Sequence, residues 1–355
     1  MDLSLFYLPT WREGYGMSLT RYYEELTESV KLADRLGWTR AMTTEHHFHY
    51  YGGAVPNPAI MLAAWARETE NIRLAPAVSL MQLRDPLKVA EDYALVDHLS
   101  GGRVDMGVAK GFVPHEFDAF HIDQAEVPER IAEGLEICLK FWAGEPFAHE
   151  GKFFNFDKLE PWPGAVNGSL PVWNAASNSK DSFVNAAERG FHLMMNHYPM
   201  SADSVFEKFG WYCENWEKAG RRTSDRKAMM AFMTHIADTE EQAIEEARAA
   251  LQEHAGAFGK VMRGQQWDTD YEDDISVLLH MCEDDDWRDV FRRRTLICSP
   301  EQAAARIQLY VDAGFTEISF ITRYAGITNE QNMTTIRRIS EEVLPMLNIS
   351  ADAAE

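Results

Sequence analysis

The chain has 355 residues, 46% apolar and 25% charged, which exceeds one average domain but fits a single large α/β barrel. Asp and Glu number 56 against 34 Lys and Arg, a net charge of −22 that excludes a general nucleic-acid binder and docking on anionic membranes. No apolar run approaches the roughly 18 residues of a membrane span. The start, MDLSLFYLPTWREG, lacks the basic and apolar regions of a signal peptide. Four widely spaced cysteines (Cys138, Cys213, Cys282, Cys298) form no CxxC and predict reduced thiols in a cytoplasmic protein. An anionic ligand on so acidic a chain needs local cations.

Short β-rich runs alternate with longer helical ones. Strands are predicted at Leu3–Leu8, Trp38–Thr43, Ile72–Val78, Arg103–Val108, Pro171–Ala175, His192–Asn196, Met229–Ala237 and Glu317–Ile321. Helices are predicted at Thr20–Leu36, Asn57–Arg67, Pro86–Leu99, Pro128–Phe141, Ser182–Arg189, Ala202–Ala219, Thr239–Ala250, Pro300–Ala313 and Asn329–Leu344. Gly37, Gly190 and Gly314 each close a helix and lead into a strand through an aromatic residue. Eight βα units predict a (β/α)8 TIM barrel as one domain over residues 1–355. An open doubly wound sheet alternates in the same way, but no GxGxxG follows the first strand. Two insertions stand out: Phe147–Pro163, with hairpin character around Glu150-Gly151, and the long Ala255–Arg294 segment, the length of a functional lid.

Catalytic groups of such a barrel sit where strands end. Thr44-Glu45-His46-His47-Phe48-His49 follows the second strand. Its imidazoles suit general-base catalysis, and the His47-x-His49 spacing also suits two metal ligands. His98, Asp105 and His197 are candidate further ligands, but none forms a partner motif, so no metal is expected. Packing histidines are the plain alternative. After the fourth strand, Gly107-Val108-Ala109-Lys110-Gly111-Phe112 sets a cation between glycines, as an anion site or an ordinary turn. After the fifth, Ala175-Ala176-Ser177-Asn178-Ser179-Lys180-Asp181-Ser182 offers hydroxyls and an amide beside a helix mouth, as an anion site or an N-cap. Small residues around Ala77-Val78 leave room for a planar ligand. Phe6, Tyr7, Trp11, Phe112, Trp173, Met194 and Met195 wall an apolar pocket or pack the core.

Three segments occur in collinear order: EHHF at Glu45–Phe48, DPLKVAEDYALVDHLSGGRVDMGVAKG at Asp85–Gly111 and AAERGF at Ala186–Phe191. With EEVLPML near the end, they resemble the bacterial luciferase-like family of flavin-dependent monooxygenases. The resemblance implies a (β/α)8 barrel that holds reduced FMN non-covalently at its C-terminal face. It implies O2 as co-substrate, a C4a-peroxide on the flavin, and oxygenation of an apolar or carbonyl-bearing small organic substrate. A separate flavin reductase would supply FMNH2, since no NAD fingerprint is present, and a homodimer is expected. His46 matches the catalytic histidine and His47 its neighbour. Lys110 stands where the family binds FMN phosphate with arginine, and Ala109 where it carries a reactive cysteine. Gly111 and Phe112 continue that loop. Ala77 and Val78 match a pair joined by a non-proline cis peptide under the flavin. Ala176, Ser177, Asn178, Ser179 and Ser182 fall in the phosphate-binding region, and Ala255–Arg294 matches the shielding loop. The alternatives are an F420-dependent oxidoreductase on the same barrel and a non-catalytic flavin-binding protein.

Overall fold

The computed structural model describes residues 1–197, 200–262 and 292–349. Eight parallel strands carry the fold: β1 (Asp2–Tyr7), β2 (Arg40–Thr43), β3 (Arg73–Pro76), β4 (Met106–Val108), β7 (Val172–Ala175), β8 (His192–Asn196), β9 (Ala228–Ile236) and β11 (Glu317–Ile321). They are ordered β3-β2-β1-β11-β9-β8-β7-β4. The ends of that order meet through two isolated parallel bridges, Leu74 to Val104 and Ser79 to Val108. The expected barrel is therefore present and nearly closed. Every residue of β9 and β11 is buried, as strands covered on both faces must be.

Helices α1 (Leu19–Arg35), α2 (Pro58–Glu68), α3 (Pro86–Ser100), α4 (Pro114–Ala119), α5 (Val127–Ala143), α6 (Lys180–Arg189), α7 (Ala202–Lys218), α8 (Glu240–Met262), α9 (Pro300–Asp312) and α10 (Asn329–Arg338) connect and cover the strands. Their starts are set locally. Asp85 accepts from the backbone N–H of Leu87 and Lys88 ahead of Pro86, and Ser299 with Gln302 and Thr328 with Gln331 form reciprocal caps. Gly37, Gly190 and Gly314 take the positive φ expected of them, 77°, 72° and 96°. The hairpin in the first insertion forms as β5 (Phe147–Glu150) against β6 (Asn155–Leu159).

Four elements depart from the sequence reading. Helix α8 runs on to Met262, past the expected end at Ala250, because Ala255, Ala257, Phe258 and Val261 continue its buried face. The rest of the expected lid, residues 263–291, lies outside the described residues. The three-residue strand β10 (Leu296–Cys298) pairs with β9, too short for alternation to reveal. The six-residue helix α4 was not expected at all. The last helix passes into a π turn at Ile339–Val343 and a tight turn holding Pro345, which lacks the N–H needed to continue.

The N-terminal end of the barrel is plugged by charge. Arg40 is 2% exposed, donates from Nε to Asp105 at 2.8 Å, pairs with Glu317 and lies 4.4 Å over the Trp173 ring. Arg73 adds a second cation to Asp105, with Nη2 to Oδ1 at 2.5 Å. Burial works against the Asp105 charge, yet the two arginines outweigh it and hold the carboxyl below its ordinary range. At the opposite end, the approach of β4 to β3 requires Gly107. A Cβ there would lie 2.1 Å from the carbonyl oxygen of Pro76. No helix among the described residues is long and apolar enough to cross a membrane.

Candidate active site

A cavity of about 430 Å³ opens where the parallel strands end. It gathers residues that lie far apart in sequence: His46 after β2, Ala77 and Val78 after β3, Ala109, Lys110, Gly111 and Phe112 after β4, and Ala176, Ser177, Asn178, Ser179 and Ser182 after β7. Every residue singled out for the site except His47 lines it. Phe6, Met42, Met194 and Met229 make an apolar floor, and Tyr51 and Phe258 wall the side next to His46. Of the aromatic and methionine residues proposed as walls, Phe6, Phe112, Met194 and Met195 line the cavity. Tyr7 instead turns its hydroxyl to Ser29 of α1 at 2.5 Å, Trp11 packs against the main core, and Trp173 is fully buried under Arg40. A larger open groove of about 870 Å³ runs between α1 and α2. It holds none of the expected site residues, and Lys31 at its edge is already paired with Glu68.

The shelf of the cavity is backbone. Ala77-Val78 is a non-proline cis peptide, as the resemblance implied. The segment is pinned on both sides: Ala77 N–H donates to Thr43 O at 2.9 Å and Ser79 N–H to Gly107 O at 2.9 Å. Glu45 completes the clamp. It is 2% exposed, and its Oε2 accepts from Leu80 N–H at 3.0 Å and from the Ser79 hydroxyl at 3.3 Å.

His46 is held from several directions. Its Nδ1 lies 3.1 Å from Glu116 Oε1. Tyr51 and Phe112 each place a ring 5.6 Å from the imidazole. Gly52, at φ 68°, passes so close that a Cβ would sit 2.5 Å from His46 Cδ2. No hydrogen bond from Nε2 is formed within the described residues, so that nitrogen is left to whatever enters. His47 faces elsewhere. Its Nε2 meets Glu45 Oε1 at 3.2 Å, and its ring packs edge-on to Phe120. His47 thus ties the motif to the shelf. His49 accepts from Tyr51 N–H at 3.0 Å, and burial lowers its basicity. Of the other proposed metal ligands, His98 reaches the Gly164 carbonyl, Asp105 sits in the N-terminal charge plug, and His197 is buried against Phe232. No group of three or more metal-ligating side chains exists among the described residues.

The end of the cavity expected to take an anion has two parts. Lys110 is exposed at the rim, with its backbone carbonyl fixed by Gln82 Nε2 at 2.8 Å. Helix α6 begins after Ser179, whose side chain makes no cap bond, so among the described residues the first N–H groups of the helix have no side-chain acceptor. An uncapped helix mouth lined by three serines and an asparagine, opposite a lysine, fits a phosphate group. Sequence reasoning missed Glu116. Its only sequence signal is its place six residues beyond Lys110, where nothing marks it as facing the histidines.

Residues 1–317 match the luciferase-like monooxygenase family. The chain belongs to that family. The oxygenase component of the flavin-dependent trigonelline monooxygenase of Acinetobacter baylyi is 25% identical over 340 residues, covering 92% of this chain and 91% of that protein. The crystal structure of the monooxygenase RslO1 from Streptomyces bottropensis aligns with TM-score 0.84 and 26% identity over 97% of this chain and 99% of that one. The oxygenating constituent of 3,6-diketocamphane monooxygenase from Pseudomonas putida, solved with FMN, aligns with TM-score 0.81 at 22% identity over 99% of each chain and shares the fold. Full-length likeness to flavin-dependent monooxygenases supports monooxygenase activity for this family member.

Proposed function

We propose that this chain is the oxygenase of a two-component system, using reduced FMN and O2 to oxygenate an apolar or carbonyl-bearing small organic molecule. One observation carries the reading: an anion end, a flat backbone shelf and an imidazole with a free nitrogen converge on a single apolar cavity. A reductase would deliver the reduced flavin, and the free buried thiols Cys138 and Cys298 suit a reducing cytoplasm.

When bound, reduced FMN supplies two electrons that activate O2, so that one oxygen atom enters the substrate and the other leaves as water. Lys110 and the α6 mouth would hold the phosphate. Ala77 and Val78 would support the ring system from beneath. Phe6, Met42, Met194 and Met229 exclude water from the reacting end, which suppresses loss of oxidising equivalents as hydrogen peroxide. His46 would accept a proton at Nε2 during oxygen transfer, a contribution of order 10²–10⁴ in rate.

The test pairs binding with isotope incorporation. Titration with FMN, FMNH2 and F420 should give binding of the FMN forms, and 18O2 should place label in an oxidised product. Binding of F420 with none of FMN, and turnover without O2, would replace this reading with hydride transfer on the same barrel.

A further inference from the structure

We infer that Glu116 is a positioning residue that fixes the tautomer of His46, presenting a bare Nε2 to the cavity. The inference rests on the reading of His46 as the group that moves a proton. Glu116 is 1% exposed although it sits on a short surface-connected helix. Burying a carboxyl there costs free energy that packing alone does not return.

The hydrogen-bond pattern leaves one assignment. Glu116 Oε1 lies 2.7 Å from the backbone N–H of His47, a group that can only donate. The same oxygen lies 3.1 Å from His46 Nδ1. With Glu116 ionised, Oε1 accepts from both groups, so Nδ1 carries a proton and, in the neutral imidazole, Nε2 carries the lone pair. The other oxygen, Oε2, is buried with no hydrogen-bond partner among the described residues. Among the described residues the carboxylate therefore bonds only the imidazole and one amide. Tyr51 and Phe112 pack against the ring and Gly52 passes close to Cδ2, so the bond to Glu116 and the direction of Nε2 are set together.

The arrangement links two parts of the site. Lys110 and Glu116 lie on the loop and helix that follow β4. A shift of that loop on phosphate binding would move the partner of His46 as well.

The test reads the tautomer directly and needs no substrate. Histidine-15N-labelled protein is examined by long-range 1H–15N correlation at a pH above the ordinary imidazole range, with His46→Ala assigning the signal. The wild type should show a protonated Nδ1 and a bare Nε2. Glu116→Gln keeps an acceptor oxygen and should retain that pattern. Glu116→Ala should shift the population to the Nε2–H form, with FMN affinity changed less than about twofold. A wild-type His46 protonated on Nε2 overturns the inference without recourse to any variant. So does an unchanged tautomer in Glu116→Ala. Failure of the wild type to bind FMN would instead remove the proposed function and leave the tautomer result standing.

Discussion

Lys110→Ala tests how an acidic chain holds an anion. Lys110 is the cation on the cavity rim, and the α6 mouth is its only companion among the lining groups described. A charge-assisted hydrogen bond contributes about 1.5–3 kcal/mol. Fixing a lysine side chain costs up to about 2 kcal/mol of rotamer freedom, and exposure screens the charge. A net loss of about 1–2 kcal/mol remains, a rise in FMN Kd of roughly 5- to 30-fold at about 1.4 kcal/mol per decade. Isothermal titration of wild type and variant with FMN and with riboflavin separates charge from shape. FMN affinity should fall, riboflavin affinity should hold, and the salt dependence of FMN binding should flatten in the variant. Equal losses for FMN and riboflavin, or no loss for either, would refute the assignment of Lys110 to phosphate.

His46→Ala should retain FMN binding and lose about 10²–10⁴ in kcat, read by 18O incorporation; wild-type turnover would remove His46 from the chemistry. Gly107→Ala should destabilise the fold by about 2 kcal/mol or more in urea titration, because the new methyl meets the Pro76 carbonyl 2.1 Å away. Arg40→Met should cost about 3–5 kcal/mol, since Asp105 and Glu317 would stay buried beside a lost cation. The acid limb follows from the depressed Asp105 carboxyl: its contribution is complete above the unfolded value near about 4 and is lost as pH falls through the lower folded value. Wild-type stability should therefore drop in strong acid, and Arg40→Met should show a shallower drop.

The barrel was legible because its strands are separated by helices with their own stops. Pro86 and Gly190 mark boundaries that agree with the structure within a residue or two. The cavity was legible because barrel geometry sends every strand end to one face, which brought Lys110 and Ser177–Ser182 together from distant stretches. What stayed hidden depends on contacts across the fold. Glu116 looks like any helix carboxylate until α4 turns it under His46. His47 shares its neighbour's chemistry, yet the loop after β2 turns its ring to Glu45 and Phe120 and leaves it outside the cavity lining. Helix α8 outran its expected end because Phe258 is buried against Tyr51 and Phe112, which no local signal records.

The seam between β3 and β4 has a consequence for how this barrel changes over time. Elsewhere the wall is a continuous ladder, as in the five matched positions between β9 and β11. At the seam only two isolated bridges join the strands, and one of them, at Ser79, lies at the edge of the cis-peptide shelf. The proposed ligand platform therefore rests on the least laddered part of the wall. Hydrogen exchange should be fastest there among the barrel strands. Substitutions near Ser79 and Val108 can then tilt the platform and retune which molecules fit, while the other joints keep the barrel standing.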